Sequence, residues 1–182
     1  MRAAILFVLL AASCSRRAQD KTTRYSSPDL AFQAELPARW RVDERRRQDG
    51  PETLLSVFYG PPDGPRAMSQ RMSVSFHAAS DPSAAARRYA VFRSGSYGFQ
   101  FPAPPVAPKP VRAGGLAGWE AVRREQGSSG PESASRPGAV TTRIIVLPTA
   151  RGFYDLEHRW PGGDAPDPAF DRLLSTFRPA PE

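Results

Sequence analysis

Between residues 71 and 77 the chain alternates without a break, with Met72, Val74 and Phe76 on one side and Ser73, Ser75 and His77 on the other. A period of two marks a half-buried strand, because successive side chains of extended backbone point to opposite faces. Such a strand needs neighbours in a sheet and a layer over its apolar face. Few other patterns in the chain restrict the fold as much.

The rest of the sequence supplies neighbours. Residues 31–36 lead into Pro37, then Trp40 and Val42. Residues 53–59 are rich in β-forming side chains and stop at Gly60-Pro61-Pro62, a strong turn signal. Val111-Arg112 and residues 119–125 flank the glycine-rich stretch 114–118, which predicts a hairpin. Residues 140–147 and 153–160 flank 148–152 and predict another.

Two segments carry helix signals. Ser80-Asp81-Pro82 offers a capping side chain followed by proline at the first helical position, and Ala85, Tyr89 and Phe92 then fall on one face. Asp167-Pro168 repeats that start, and Phe170, Leu173, Leu174 and Phe177 follow at i, i+3, i+4 and i+7 until Pro179. The second stripe is too short to be stable alone and must pack on something.

Residues 98–110 are proline-rich and expected to be extended. Residues 127–138 hold nothing apolar larger than alanine, which predicts a mobile loop that tolerates deletion. The expected fold class is α+β: an antiparallel sheet of about six to seven strands flanked by helices, in one domain over residues 24–179.

The other informative feature is Cys14, the single cysteine of the chain. It follows Met1-Arg2, a ten-residue apolar run over 3–12, and Ser13. Spanning a bilayer takes about 20 helical residues, so this run suits the centre of a secretory signal instead. Leu10-Ala11-Ala12-Ser13-Cys14 resembles a lipobox, in which small neighbours let an enzyme reach the thiol, with Ala11 where leucine is commoner. The competing interpretation is an ordinary signal peptide with Cys14 a bystander.

The expectation is a signal peptide at 1–13, a lipidated Cys14 with a polar tether over 14–23, and a domain held in a bacterial cell envelope. Ser15 is compatible with the periplasmic face of the outer membrane in a Gram-negative cell. Each buried lipid CH₂ contributes about 0.8 kcal/mol, so the two or three chains of a lipoprotein hold firmly. One cysteine also excludes a disulfide within the molecule.

The net charge of +7 would suit a nucleic-acid partner, but that compartment argues against one. The basic residues are almost all arginine, with lysine only at Lys21 and Lys109, a bias typical of GC-rich genomes. Arg45-Arg46-Arg47, Arg87-Arg88 and Arg123-Arg124 are dispersed. Solvated faces account for them, with a weak attraction to anionic lipid as the functional alternative.

The two ends of the domain resemble the PsbP-like family. The opening residues Tyr25-Ser26-Ser27-Pro28, Phe32 and Leu36-Pro37-Ala38-Arg39-Trp40-Arg41-Val42 are similar to that family's "apolar strand, Pro, Trp, Val" start. Gly152-Phe153-Tyr154-Asp155-Leu156, then Trp160-Pro161, then Phe170 through Ser175-Thr176-Phe177 are similar to its ending. The resemblance implies an antiparallel sheet sandwiched by helices (α/β/α). It also implies a binding or assembly role without catalysis, and carries no photosynthetic role to this chain.

Candidate chemistry is sparse. His77 lies on the polar side of its strand, and His158 alternates with Tyr154, Leu156 and Trp160, the pattern of a core-edge histidine with a satisfied hydrogen bond. Zinc usually takes three or four ligands, so no metal is expected. Gly95-Ser96-Tyr97-Gly98 lacks the spacing of a nucleophile elbow, and no P-loop, dinucleotide fingerprint or EF-hand loop occurs. Asp155 and Glu157 share a strand face, where edge-strand solubility competes with acid–base chemistry.

Tyr97, Phe99 and Phe101 alternate beside prolines, either plugging a sheet edge or forming a contact for a partner. The expected function is a non-catalytic, cofactor-free binding or assembly domain with an envelope protein as partner. An envelope hydrolase, or a metal- or ligand-binding protein using His77 or His158, is the alternative.

Overall fold

The computed structural model describes residues 21–38, 40–49, 52–60, 71–95, 105–125, 140–161 and 166–180, and only the backbone of 45–49, 52–60, 71, 125 and 161. Residues 1–20 and 126–139 lie outside this set, so the signal, Cys14, most of the tether and the 127–138 loop do too.

The chain opens with β1 (Thr22–Ser27) and β2 (Phe32–Pro37), then the hairpin β3 (Arg41–Asp49) and β4 (Glu52–Gly60), then β5 (Arg71–Ala78). Helix α1 (Pro82–Ser94) follows, then β6 (Lys109–Ala113), β7 (Leu116–Glu125), β8 (Val140–Pro148) and β9 (Gly152–Pro161). Helix α2 (Pro168–Thr176) and the short β10 (Arg178–Pro179) end it. The fold is α+β.

The main sheet has the order β3-β4-β5-β9-β8-β7-β6, with every pair antiparallel. The chain builds inward from one edge to β5, crosses over through α1 to the far edge, and returns through β7 and β8. Strand β9 then closes the sheet against β5. The alternating strand seen in the sequence and the last strand of the main sheet are therefore central neighbours.

The register Met72↔His158, Val74↔Leu156 and Phe76↔Tyr154 puts these residues on one face. There Met72, Val74, Ile145, Leu147 and Leu156 meet Phe32, Leu36, Phe170, Leu173, Leu174 and Phe177 in the larger core. The opposite face carries Ala121, Ile144, Val146 and Phe153 against Ala86 and Ala90 of α1. Strand β8 is covered on both sides, which explains its unbroken run Ile144-Ile145-Val146-Leu147.

Both helices start as their sequences predict: Asp81 accepts from the Ala84 amide at 3.2 Å and Asp167 from the Ala169 amide at 2.9 Å. The α2 stripe is buried along its length. In α1 the predicted face is rotated. Ala86 and Ala90 are fully buried while Phe92 is 56% exposed. Bulky Ile144, Val146 and Phe153 already fill the sheet side, so only small residues let the helix axis come close.

A second sheet, β1-β2-β10, was not evident from the sequence pattern. It draws Thr22 and Thr23 into strand pairing with Pro37 and Leu36, two residues before the expected start of the domain. Phe177 caps α2 and stacks on Phe32 at 5.2 Å. Gly114, at φ +60°, turns the β6–β7 hairpin beneath it, where an added Cβ would sit 2.5 Å from the Phe177 carbonyl oxygen. No helix among the described residues is long and apolar enough to cross a membrane, which says nothing of β-barrels.

Candidate functional site

Strand alternation sends Phe153, Asp155 and Glu157 of β9 toward α1, and Tyr89 and Arg93 stand one helical turn apart on α1 above them. The Tyr89 hydroxyl donates to Asp155 Oδ2 at 2.7 Å. Arg93 Nη1 donates to the Tyr89 oxygen at 2.7 Å and to Asp155 Oδ2 at 3.2 Å, while Nη2 donates to Glu157 Oε2. The Arg93 guanidinium also lies 5.5 Å from the Tyr89 ring centre.

Asp155 is 5% exposed, and its Oδ1 has no partner among the described residues. Burial raises its pKa to about 6, against the pull of Arg93 in the other direction. Burial and then the neighbouring Asp155 charge push the Tyr89 phenol up. For Arg93 burial works against the charge, but Asp155, Tyr89 and Glu157 together hold the guanidinium above its ordinary range. The edge-solubility interpretation of Asp155 and Glu157 is thereby overturned: β9 is a central strand, and both carboxylates are taken up by one arginine.

His77 occupies the row above. It stacks on Phe153, its register partner, with ring centres 4.7 Å apart and planes 9° apart, and meets Tyr89 at 4.8 Å. Its Nε2 has no hydrogen-bond partner among the described residues. Burial, with Arg93 adding to it, lowers its pKa to about 4. An open groove of about 630 Å³ passes here, lined by His77, Asp81, Arg88, Tyr89 and Phe153 among others.

His158 is on the other face. It is fully buried beside Trp160 at 4.7 Å and Phe170 at 5.2 Å. The expected hydrogen bond does not form: neither ring nitrogen has a partner among the described residues. The reason is local. Its neighbours are apolar, and Arg143, its register partner, turns to Glu120 and Asp171 instead. Burial lowers the His158 pKa to about 4.

The two histidines thus point to opposite sides of one sheet and cannot share a ligand. Among the described residues no group of three histidine, cysteine or acidic side chains could hold a metal. Tyr97, Phe99, Phe101 and Cys14 lie outside the described residues. Sequence reasoning missed Tyr89 and Arg93 as the partners of Asp155. The i, i+4 spacing on α1 and the i, i+2 spacing on β9 are both visible, but the 66-residue separation between them hides the contact.

No protein-family model matches the chain, and no curated protein sequence matches it. Its fold is similar to a crystal structure from Bacteroides thetaiotaomicron VPI-5482, with a TM-score of 0.56 at 15% identity. The match covers 87% of this chain and 48% of that one, so the chain spans about half the length of the Bacteroides protein. At that identity the likeness concerns the fold alone.

Proposed function

We propose that this is a lipoprotein of the bacterial cell envelope, anchored through Cys14, whose domain binds or helps assemble an envelope component without catalysing a reaction. The observation that carries the non-catalytic half is Arg93, which engages both Asp155 and Glu157 and leaves that pair no role as opposed acid and base. The anchor rests on the lone cysteine set directly after an apolar run. A tether raises the local concentration of the domain for membrane-bound partners, so modest affinity suffices.

The finer fold assignment, an α/β/α sandwich of the PsbP-like kind, belongs to the same proposal. It is supported by the place of α1 on one face of the main sheet and α2 on the other. Several residues of the resemblance, including Trp40, Tyr154, Leu156, Phe170 and Phe177, are core residues. His77 and His158 face opposite sides of the sheet, which removes support for a site that uses both together, and the rival built on one histidine with nearby acids is addressed by the test below.

Mass spectrometry of the membrane fraction tests the anchor, with a diacylglyceryl adduct on an N-terminal Cys14 as the expected result. A free thiol on a soluble product refutes it. Cross-linking in membranes tests the role: a reproducible envelope protein partner is expected, weakened by changes at Tyr97, Phe99 or Phe101 and untouched by replacing both histidines. If the double histidine replacement abolishes the cellular phenotype while fold and complex persist, the protein is an enzyme.

A further inference from the structure

The small sheet β1-β2-β10 has one face in the larger core and one outside it. Phe32, Ala34 and Leu36 of β2 are buried in that core, and strand alternation turns Gln33 and Glu35 the other way. Directly opposed residues of antiparallel strands share a face. The register Arg24↔Glu35, Ser26↔Gln33 and Arg178↔Gln33 therefore adds Arg24, Ser26 and Arg178 to the outward face. Arg24, Ser26, Gln33 and Arg178 are all exposed.

The charge on this face is one-sided. Glu35 is the single acid of the three strands. Arg172 of α2 takes it, with Nε at 2.9 Å and Nη2 at 2.6 Å from the same carboxylate oxygen. Arg178 donates to the main-chain carbonyls of Ser175 and Phe177, which carry no charge. Arg24 stands opposite Glu35 in register but is not bonded to it, and Lys21 is exposed at the head of β1. Once Arg172 and Glu35 cancel, the positive charges of Lys21, Arg24 and Arg178 remain uncompensated by an acid among the described residues.

This is also where the tether joins the fold. The Lys21 carbonyl accepts the Ala38 amide at 2.7 Å, which fixes the chain to the domain from that residue onward. Cys14 lies seven residues earlier, a reach of at most about 25 Å. Helix α1 lies on the opposite face of the main sheet.

We infer that the outward face of the β1-β2-β10 sheet docks on an anionic lipid surface. Cations near a negatively charged leaflet are attracted to it within a Debye length, and the short tether keeps this face in range. Thr22, Ser26 and Gln33 between the cations offer hydrogen bonds to headgroups, and no large apolar side chain stands out to enter the hydrocarbon. The inference rests on the anchored reading for the short reach, and adds which side of the domain meets the membrane.

The test uses the full chain with Cys14→Ser, which carries no lipid, so the face is measured apart from the anchor. Sedimentation with vesicles of phosphatidylglycerol and phosphatidylcholine in equal parts should exceed that with phosphatidylcholine alone, and high salt should abolish the excess. Arg24→Gln and Arg178→Gln should each weaken the excess about five-fold, the worth of one charge at the surface. Arg87→Gln removes the same charge from exposed α1 and should change nothing. Cys14→Ser leaves no other cysteine, so a polarity-sensitive fluorophore on Ser26→Cys reports the face directly and should shift to the blue on the anionic vesicles.

Equal sedimentation with both vesicle types overturns the proposal, as does equal weakening by Arg24→Gln and Arg87→Gln, which marks net charge alone. No preference for anionic vesicles, with a cross-linked envelope complex weakened by Arg24→Gln, gives the face to a protein partner and also overturns it. The anchor fails separately: a free Cys14 thiol in the membrane fraction refutes the anchor, while the vesicle preference of the Cys14→Ser chain still upholds the face.

Discussion

Asp155 Oδ2 accepts both the Tyr89 hydroxyl and Arg93 Nη1, so a single carboxylate oxygen joins two residues of α1 to the centre of the main sheet. The apolar contact beneath α1 is thin, with alanines at its centre, and the polar network supplements it. Buried networks of this kind stabilise only while every member keeps its partner, because an unpaired group inside the protein is expensive.

Tyr89→Phe keeps the ring against His77 and Phe153 but removes the donor to a buried carboxylate. It should cost about 1.5–3 kcal/mol. Arg93→Met removes the cation that joins the two carboxylates and should cost about 3–5 kcal/mol. Urea unfolding measures both. If Tyr89→Phe unfolds at the wild-type midpoint, α1 is not docked through Asp155.

Acid should weaken the fold through its histidines. His77 and His158 each have a folded pKa of about 4 against 6.5 for an ordinary histidine. Between pH 6.5 and 4 the unfolded chain therefore binds more protons, and stability falls as the pH drops through that window. Asp155 has the opposite sign. Its folded pKa of about 6 lies above the 3.8 of an ordinary aspartate, so its contribution is present below pH 3.8 and is lost as the pH rises through 6. With two histidines against one aspartate, the net effect is loss on acidification. Replacing His158 by Phe should flatten the acid limb of a stability–pH curve, and an unchanged limb would show that His158 is accessible to solvent.

Some of this was legible in the residues and some was not, for physical reasons. The half-buried β5, the α2 stripe and both aspartate caps follow from local periodicity and local hydrogen bonds, which the sequence displays directly. The α1 face does not follow from apolarity alone: Phe92 is apolar, yet clearance above a bulky sheet favours Ala86 and Ala90 there. The core side of β9 is legible for His158 from its alternation with Tyr154, Leu156 and Trp160. Its missing hydrogen bond depends on Arg143 choosing Glu120 and Asp171, a competition between three elements. The Tyr89–Asp155 contact exists only once α1 has been laid over β9.

Leu174 tests the larger core. It is 7% exposed on the face of α2 that packs against β2 and the main sheet. Leu174→Ala should lower stability by about 2–5 kcal/mol, through lost transfer energy and the cavity left behind. Ser175 is exposed on the same helix and provides the control, since Ser175→Ala should stay within about 0.5 kcal/mol of wild type. Equal effects in a denaturant titration would mean that α2 does not cover the sheet.

Ala31 carries backbone strain that a substitution can release. Its φ is +51°, in the left-handed region. The turn is held from several sides: the Ala31 amide donates to the Pro28 carbonyl at 3.3 Å. Its own carbonyl accepts the Tyr154 hydroxyl at 2.9 Å and the Ala180 amide at 2.6 Å. An L-residue pays about 1–2 kcal/mol for that conformation. Glycine removes the strain but adds unfolded-state entropy worth about 0.4–1 kcal/mol. Ala31→Gly should therefore raise stability slightly, by about 0.5–1 kcal/mol. Ala31→Val should lower it by about 1–3 kcal/mol, because a β-branched side chain fits positive φ poorly. Chemical denaturation of the pair decides the matter by sign. If glycine destabilises and valine is neutral, the β1–β2 turn relaxes out of the left-handed region, and the hold of Tyr154 and Ala180 on Ala31 is not what sets its conformation.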